Sequence, residues 1–108
     1  MIRRIAKRNQ VIIDLEEICD YIGNDNISAA IRFLEAAEYA FEELAKMPLI
    51  GQSWKFSHPD LVNIRFLPIP GFERYLIFYQ VLDECIDIVR IIHSARDIPT
   101  LLEEDNPF

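Results

Sequence analysis

The sequence predicts one α+β domain, a two-helix hairpin packed on a small, twisted antiparallel sheet. Three observations carry this expectation. Residues 9–47 hold apolar side chains at helical spacing in two stretches joined by the polar connector Asn24-Asp25-Asn26. Residues 64–93 hold three short, dense apolar runs separated by the turn signals Pro70-Gly71 and Asp83-Glu84. A chain of 108 residues, about half of them apolar, supplies one hydrophobic core and not two.

Residues 1–8, with Ile2 and Ile5 as apolar members, read as a short strand at the edge of the sheet. A first helix starts at about residue 9, with Ile12, Leu15, Ile18 or Cys19, and Ile22 facing inward. Asp14, Glu16, Glu17 and Asp20 are expected on its other side, and Gly23 ends it. Asp25, Asn26 or Ser28 caps a second, longer helix that runs to Lys46. Its apolar stripe is Ala30, Phe33, Leu34, Ala37, Phe41, Leu44 and Ala45, and Met47-Pro48 closes it. The hairpin thus occupies residues 9–47, and its stripes need the sheet as cover.

Residues 49–60 carry Gly51, Trp54, Phe56, His58 and Pro59 and read as a crossover loop pinned by aromatics. The sheet region spans 61–97, with strands over 64–69, 75–82 and 86–93 joined as hairpins. The middle run, YLIFYQVL, has no polar face, which suits a central strand covered on both sides or lying under helices. Alternation in the last run places Ile86, Ile88, Arg90 and Ile92 on one face and Cys85, Asp87, Val89, Ile91 and His93 on the other. Arg90 is then expected to reach the sheet edge or to pair with Asp87 or Asp97. Residues 98–108 form a tail or short helix, with Pro99 at its start.

The net charge of −7 is unevenly distributed. Residues 1–8 hold Arg3, Arg4, Lys7 and Arg8 without an acid, residues 14–60 hold ten acids against Arg32, Lys46 and Lys55, and Glu103, Glu104 and Asp105 end the chain. An acidic middle repels phosphate, so direct specific DNA binding by this chain is not expected. A basic cluster of sheet and N-terminal arginines remains a site for an acidic partner. No apolar run is long enough to span a membrane and none reads as a signal peptide, which points to the cytoplasm. Cys19 and Cys85 fit buried thiols in that reducing compartment, and the sequence leaves a bond between them open.

No glycine-rich phosphate loop, CxxC, HExxH or GxSxG motif is present, and His58 and His93 lack metal-type spacing, so neither cofactor nor metal is expected. What remains is a set of arginines among apolar neighbours, Arg65, Arg74, Arg90 and Arg96. Beside them stand His93, Ser94 and Asp97 after the last strand, with Tyr75 and Tyr79 on its neighbour. Each also has a purely structural reading. His93 suits a hydrogen-bonded strand end, Arg96 and Asp97 a local ion pair, and Tyr75 with Tyr79 core packing on one face.

The order of elements, with DLEEICDYIG in the first helix, AAIRFLEAAEYAFEELAKMPLIG in the second, and IRFLPIPGFERYLIFYQV before IDIVRIIHSARDI, resembles the ParE branch of the RelE/ParE toxin superfamily. These are the toxins of type II toxin–antitoxin, or plasmid-stabilisation, systems. The resemblance covers nearly the whole chain and is most specific in RIIHSARDI. It implies a toxin that binds and inhibits DNA gyrase and is neutralised by a cognate antitoxin, with a possible homodimer or toxin–antitoxin hetero-oligomer and no catalytic residue. Antitoxin- or target-binding is expected at Arg65, Arg74, Arg90 and Arg96, and β-addition at the open edge of residues 2–8. RelE-like relatives instead cut mRNA on the ribosome. For that chemistry His93 or Tyr79 would carry a proton, with Arg74 and Arg96, and also Arg65 and Arg90, as cations on the phosphate. Lys46 and Lys55 are the only lysines after Lys7, which argues against an rRNA-holding surface. The resemblance also implies a basic toxin with an acidic antitoxin. The −7 charge departs from that, and a third reading is a weakly toxic or non-toxic relative that only binds an antitoxin.

Overall fold

A computed structural model of the chain describes residues 2–55 and 63–105. Strand β1 (Arg4–Lys7) leads into helix α1 (Asn9–Asp25), helix α2 (Ile27–Lys46), strands β2 (Gln52–Ser53), β3 (Arg65–Ile69), β4 (Phe72–Val81) and β5 (Cys85–His93), and helix α3 (Ile98–Asp105). The five strands form one sheet in the order β1-β5-β4-β3-β2. The sheet is mixed. β1 is the edge strand, but it runs parallel to β5, with Ile5 opposite Ile86, whereas the other neighbours are antiparallel. Parallel neighbours need a long crossover, and the helical hairpin with the sheet that follows supplies it. At the opposite edge, the two-residue β2 lies in the stretch expected to be loop, while Phe56, His58 and Pro59 of that stretch fall outside the described residues.

Asn26 separates the helices. Its extended backbone (φ −156°, ψ 101°) breaks the helical path, its N–H closes α1 on Ile22 O, and its side chain accepts from Ala29 N at 3.0 Å. One residue thereby ends one helix and caps the next. Gly23 does not end α1. An added Cβ there would lie 3.5 Å from Ala30 Cβ, so the glycine sits where the helices approach closely.

The sheet is buried on both faces. Against the hairpin lie Val11, Phe33, Phe41 and Leu44 with Ile77, Tyr79, Ile86, Ile88 and Ile91; the opposite face joins Ile64, Leu76, Phe78, Val89 and Ile92 to Ile98 and Leu102 of α3. This double cover explains why YLIFYQVL lacks a polar side. The alternation expected for β5 fails midway. Phe78 faces Arg90 and Tyr79 faces Ile88, so Val89 is an extra residue, and Ile91 joins Ile86 and Ile88 under the helices while Ile92 joins Val89 beneath α3.

The phase of α1 also differs from the expected one. Val11 and Asp14 are buried and Ile12 is 43% exposed, so the inward stripe is Val11, Asp14, Leu15, Ile18 and Ile22. On α2, Leu34 lies outside the core and Ala40 within it. Cys19 and Cys85 are both free thiols. No helix among the described residues is long and apolar enough to cross a membrane.

Candidate functional site

The four arginines singled out in the sequence divide into two kinds. Arg90 is buried on the bulged strand and meets Asp14 in a two-pronged ion pair, Nε to Oδ2 and Nη2 to Oδ1, both 2.9 Å. Asp14 Oδ2 also accepts from Ile91 N at 3.0 Å, and Arg90 Nη1 donates to Leu101 O at 3.2 Å. α1, β5 and α3 are fastened at this point. The partner is neither Asp87, which pairs with Arg8 at 2.9 Å, nor Asp97, whose carboxylate caps the start of α3 through Thr100. Arg8 and Thr100 thus occupy the two carboxylates expected to pair with Arg90. Arg65 is likewise committed, donating to Gly51 O at 2.7 Å and so holding the segment before β2.

Arg74 and Arg96 are exposed. Ser94 N donates to Arg74 O at 2.7 Å, and Tyr75 pairs with His93 across β4 and β5, so both arginines stand at one end of the sheet. An open groove of about 470 Å³ lies at that end, lined by Glu17, Ile18 and Tyr21 of α1, Tyr75 of β4, and Ile92, His93 and Arg96. His93 Nδ1 accepts from Ala95 N at 3.0 Å, which leaves Nε2 as the protonated nitrogen of the neutral ring. The imidazole stands edge-on to Tyr75, with centroids 5.1 Å apart. Burial pushes the Tyr75 phenol up from its ordinary range, and nearby Tyr21 adds to the effect.

Tyr79 is not part of that groove. Fully buried, it accepts from Gly51 N at 2.9 Å and donates to Pro48 O at 2.8 Å. Burial raises its pKa, while the Gly51 N–H and the Arg65 charge pull it partly back. Three of the four N-terminal basic residues are committed in a similar way, while Arg4 is exposed. Arg3 donates to Leu82 O and Asp83 O, Lys7 pairs with Glu38 at 3.1 Å, and Arg8 holds Asp87. Among the described residues, no three His, Cys, Asp or Glu side chains converge as a metal site requires.

Asp14 is the residue whose importance sequence reasoning missed. The available signal was Val11, Leu15, Ile18 and Ile22, whose spacing gives an inward stripe that includes position 14. An acid in such a stripe asks for a buried cation.

Comparison with known proteins places this geometry in a family. The family model described as ParE toxin of type II toxin-antitoxin system, parDE, matches residues 5–98. A curated relative, Toxin RelE2 of Caulobacter vibrioides, is 33% identical over 87 residues, covering 81% of this chain and 90% of its own length. A solved structure titled chromosomal ParDE TA system from P. aeruginosa superposes with a TM-score of 0.68 at 17% identity, over 85% of this chain and 96% of its own, and shares the fold. With a family match from β1 to the start of α3 and a relative above 30% identity over most of both chains, this protein belongs to the ParE toxin family of the RelE/ParE superfamily.

Proposed function

We propose that the chain is the toxin of a type II toxin–antitoxin pair that acts by binding and inhibiting DNA gyrase, and that a protein antitoxin neutralises it. Family membership supports the toxin role. What supports binding over cleavage is the state of the would-be nuclease residues. The Tyr79 hydroxyl is occupied inside the core and the Arg90 guanidinium is locked on Asp14, which leaves His93, beside Arg96, as the expected proton carrier that reaches the groove. The antitoxin- or target-binding surface is accordingly narrowed to Arg74, Arg96 and the groove of Tyr21, Tyr75 and His93. Arg65 and Arg90 act as internal fasteners.

The deciding experiment is a gyrase supercoiling assay titrated with the purified chain, with and without antitoxin. Inhibition that antitoxin reverses sustains the proposal; full supercoiling at clear excess of folded toxin ends it. A second reading, ribosome-dependent mRNA cleavage, draws on the relative named RelE2 and on His93 and Arg96 sharing one groove. It requires cleavage that disappears in both His93→Ala and Arg96→Ala. The −7 charge keeps a third outcome in the design, tight antitoxin binding without either activity.

A further inference from the structure

The end of the sheet opposite the groove, where the β4–β5 turn closes through Leu82 N to Cys85 O at 2.9 Å, carries an apolar patch. Among the described residues, Ile2 (69% exposed), Met47, Leu49 (66% exposed), Ile50 and Leu82 stand in water there. Backbone contacts gather them. Arg3 N donates to Ala45 O at 2.9 Å and Arg3 Nη1 to Leu82 O at 2.6 Å, which sets Ile2 and Leu82 beside the last turn of α2. Met47 caps that helix, and Ile50 N donates to Met47 O at 3.1 Å, which folds Leu49 and Ile50 back onto the same end. Apolar residues exposed singly are ordinary, but a contiguous set marks an interaction surface. The charges around it are of both signs, Arg3, Arg4 and Lys46 beside Asp83 and Glu84. The hairpin differs in this respect, since residues 9–45 hold nine acids against Arg32 alone.

We propose that this end of the molecule docks a second copy of the chain about a two-fold axis. The five apolar side chains form the centre of the contact, and Arg4 and Lys46 of each copy face Asp83 and Glu84 of the other. A two-fold contact sets one patch against itself, so it needs a surface that is its own complement. Charge complementarity selects the occupant. Two copies of a −7 chain that met through their hairpins would bring acid against acid, whereas here each cation finds a carboxylate across the axis. An acidic partner would meet Asp83 and Glu84, and a basic one would meet Arg3, Arg4 and Lys46, so neither is complemented throughout. The contact leaves the sheet-end grooves at the two far ends of the dimer, which then presents that surface twice. It is independent of the target that the groove takes.

The test is analytical sedimentation of the chain without antitoxin, from about 1 μM to about 300 μM, the range in which a contact of modest size titrates. The expected result is a monomer–dimer equilibrium. Leu49→Asp with Leu82→Asp should weaken it by roughly tenfold or more without lowering the melting temperature of the monomer. Two charge reversals keep the inference testable should that variant fail to fold. Arg4→Glu with Lys46→Glu, and separately Asp83→Lys with Glu84→Lys, should each sediment as monomers alone and associate when mixed in equal amounts, because the mixture restores opposite signs on both sides of the axis. A parent chain that stays monomeric over the whole range overturns the inference, and so does a dimer that survives either reversal unchanged. Reversed variants that remain monomers when mixed overturn it as well. If the free chain is monomeric and Leu49→Asp with Leu82→Asp instead weakens antitoxin binding, the patch belongs to the antitoxin and not to a second copy.

Discussion

Asp14 and Arg90 set the residue-scale energetics. Two charges buried together attract strongly, yet desolvation offsets most of the gain, so the pair matters chiefly through what its loss leaves behind. Asp14→Ala strands a buried guanidinium and an unmet Ile91 N–H and should lower unfolding free energy by about 3–5 kcal/mol in chemical denaturation. Asp14→Leu combined with Arg90→Met should restore most of that loss, and failure to do so would mean that the pair does more than neutralise itself. Tyr79 behaves as a fastener at the same scale. Removing its hydroxyl in Tyr79→Phe leaves the Gly51 N–H without its acceptor and should cost about 1–3 kcal/mol at neutral pH. Its phenol has a raised pKa in the folded state, so the stability it contributes is complete below the unfolded value near 10 and is lost as pH rises through the folded value. Melting temperature should therefore fall as pH climbs past about 10, and less steeply in Tyr79→Phe.

At the scale of elements, the hairpin depends on a single residue that belongs to neither helix. Asn26→Ala should destabilise by about 1 kcal/mol, because α2 loses the acceptor for Ala29 N; Asn26→Asp should retain nearly all of it. The β5 bulge has the larger structural consequence. One extra residue at Val89 exchanges the faces of all that follows, which sends Ile91 to the hairpin and puts Arg90, opposite Phe78, on the face of Ile92 and α3. Helix α3 is tied to the sheet by Ile98, Leu102 and the Arg90–Leu101 contact.

For the whole molecule, charge and its placement matter more than the net value. Lys7, Arg8 and Arg90 are paired one to one with Glu38, Asp87 and Asp14, so those charges cancel and the −7 is carried by the remaining groups. If the proposed partner binds at the sheet-end groove, Arg74→Ala with Arg96→Ala should weaken it by about 2–5 kcal/mol without moving the melting temperature, as read by titration and scanning calorimetry. Arg90→Ala should instead lower the melting temperature sharply. If both variants lost only stability, the arginine-bearing sheet end would not be a binding surface.

By itself the sequence determined the α+β class, the two-helix hairpin with its polar joint, the three long strands and the family resemblance. All of these follow from local periodicity, turn chemistry and order along the chain, which neighbouring residues dictate. Only the tertiary structure decided that β1 runs parallel to β5, that β5 carries an extra residue, and that Asp14 faces inward. The reason is physical. Strand direction, bulge position and helix phase each cost little locally and are settled by contacts between residues far apart in sequence, as between Asp14 and Arg90, 76 positions apart. The same contacts sorted the arginines, turning Arg65 and Arg90 inward and leaving Arg74 and Arg96 exposed.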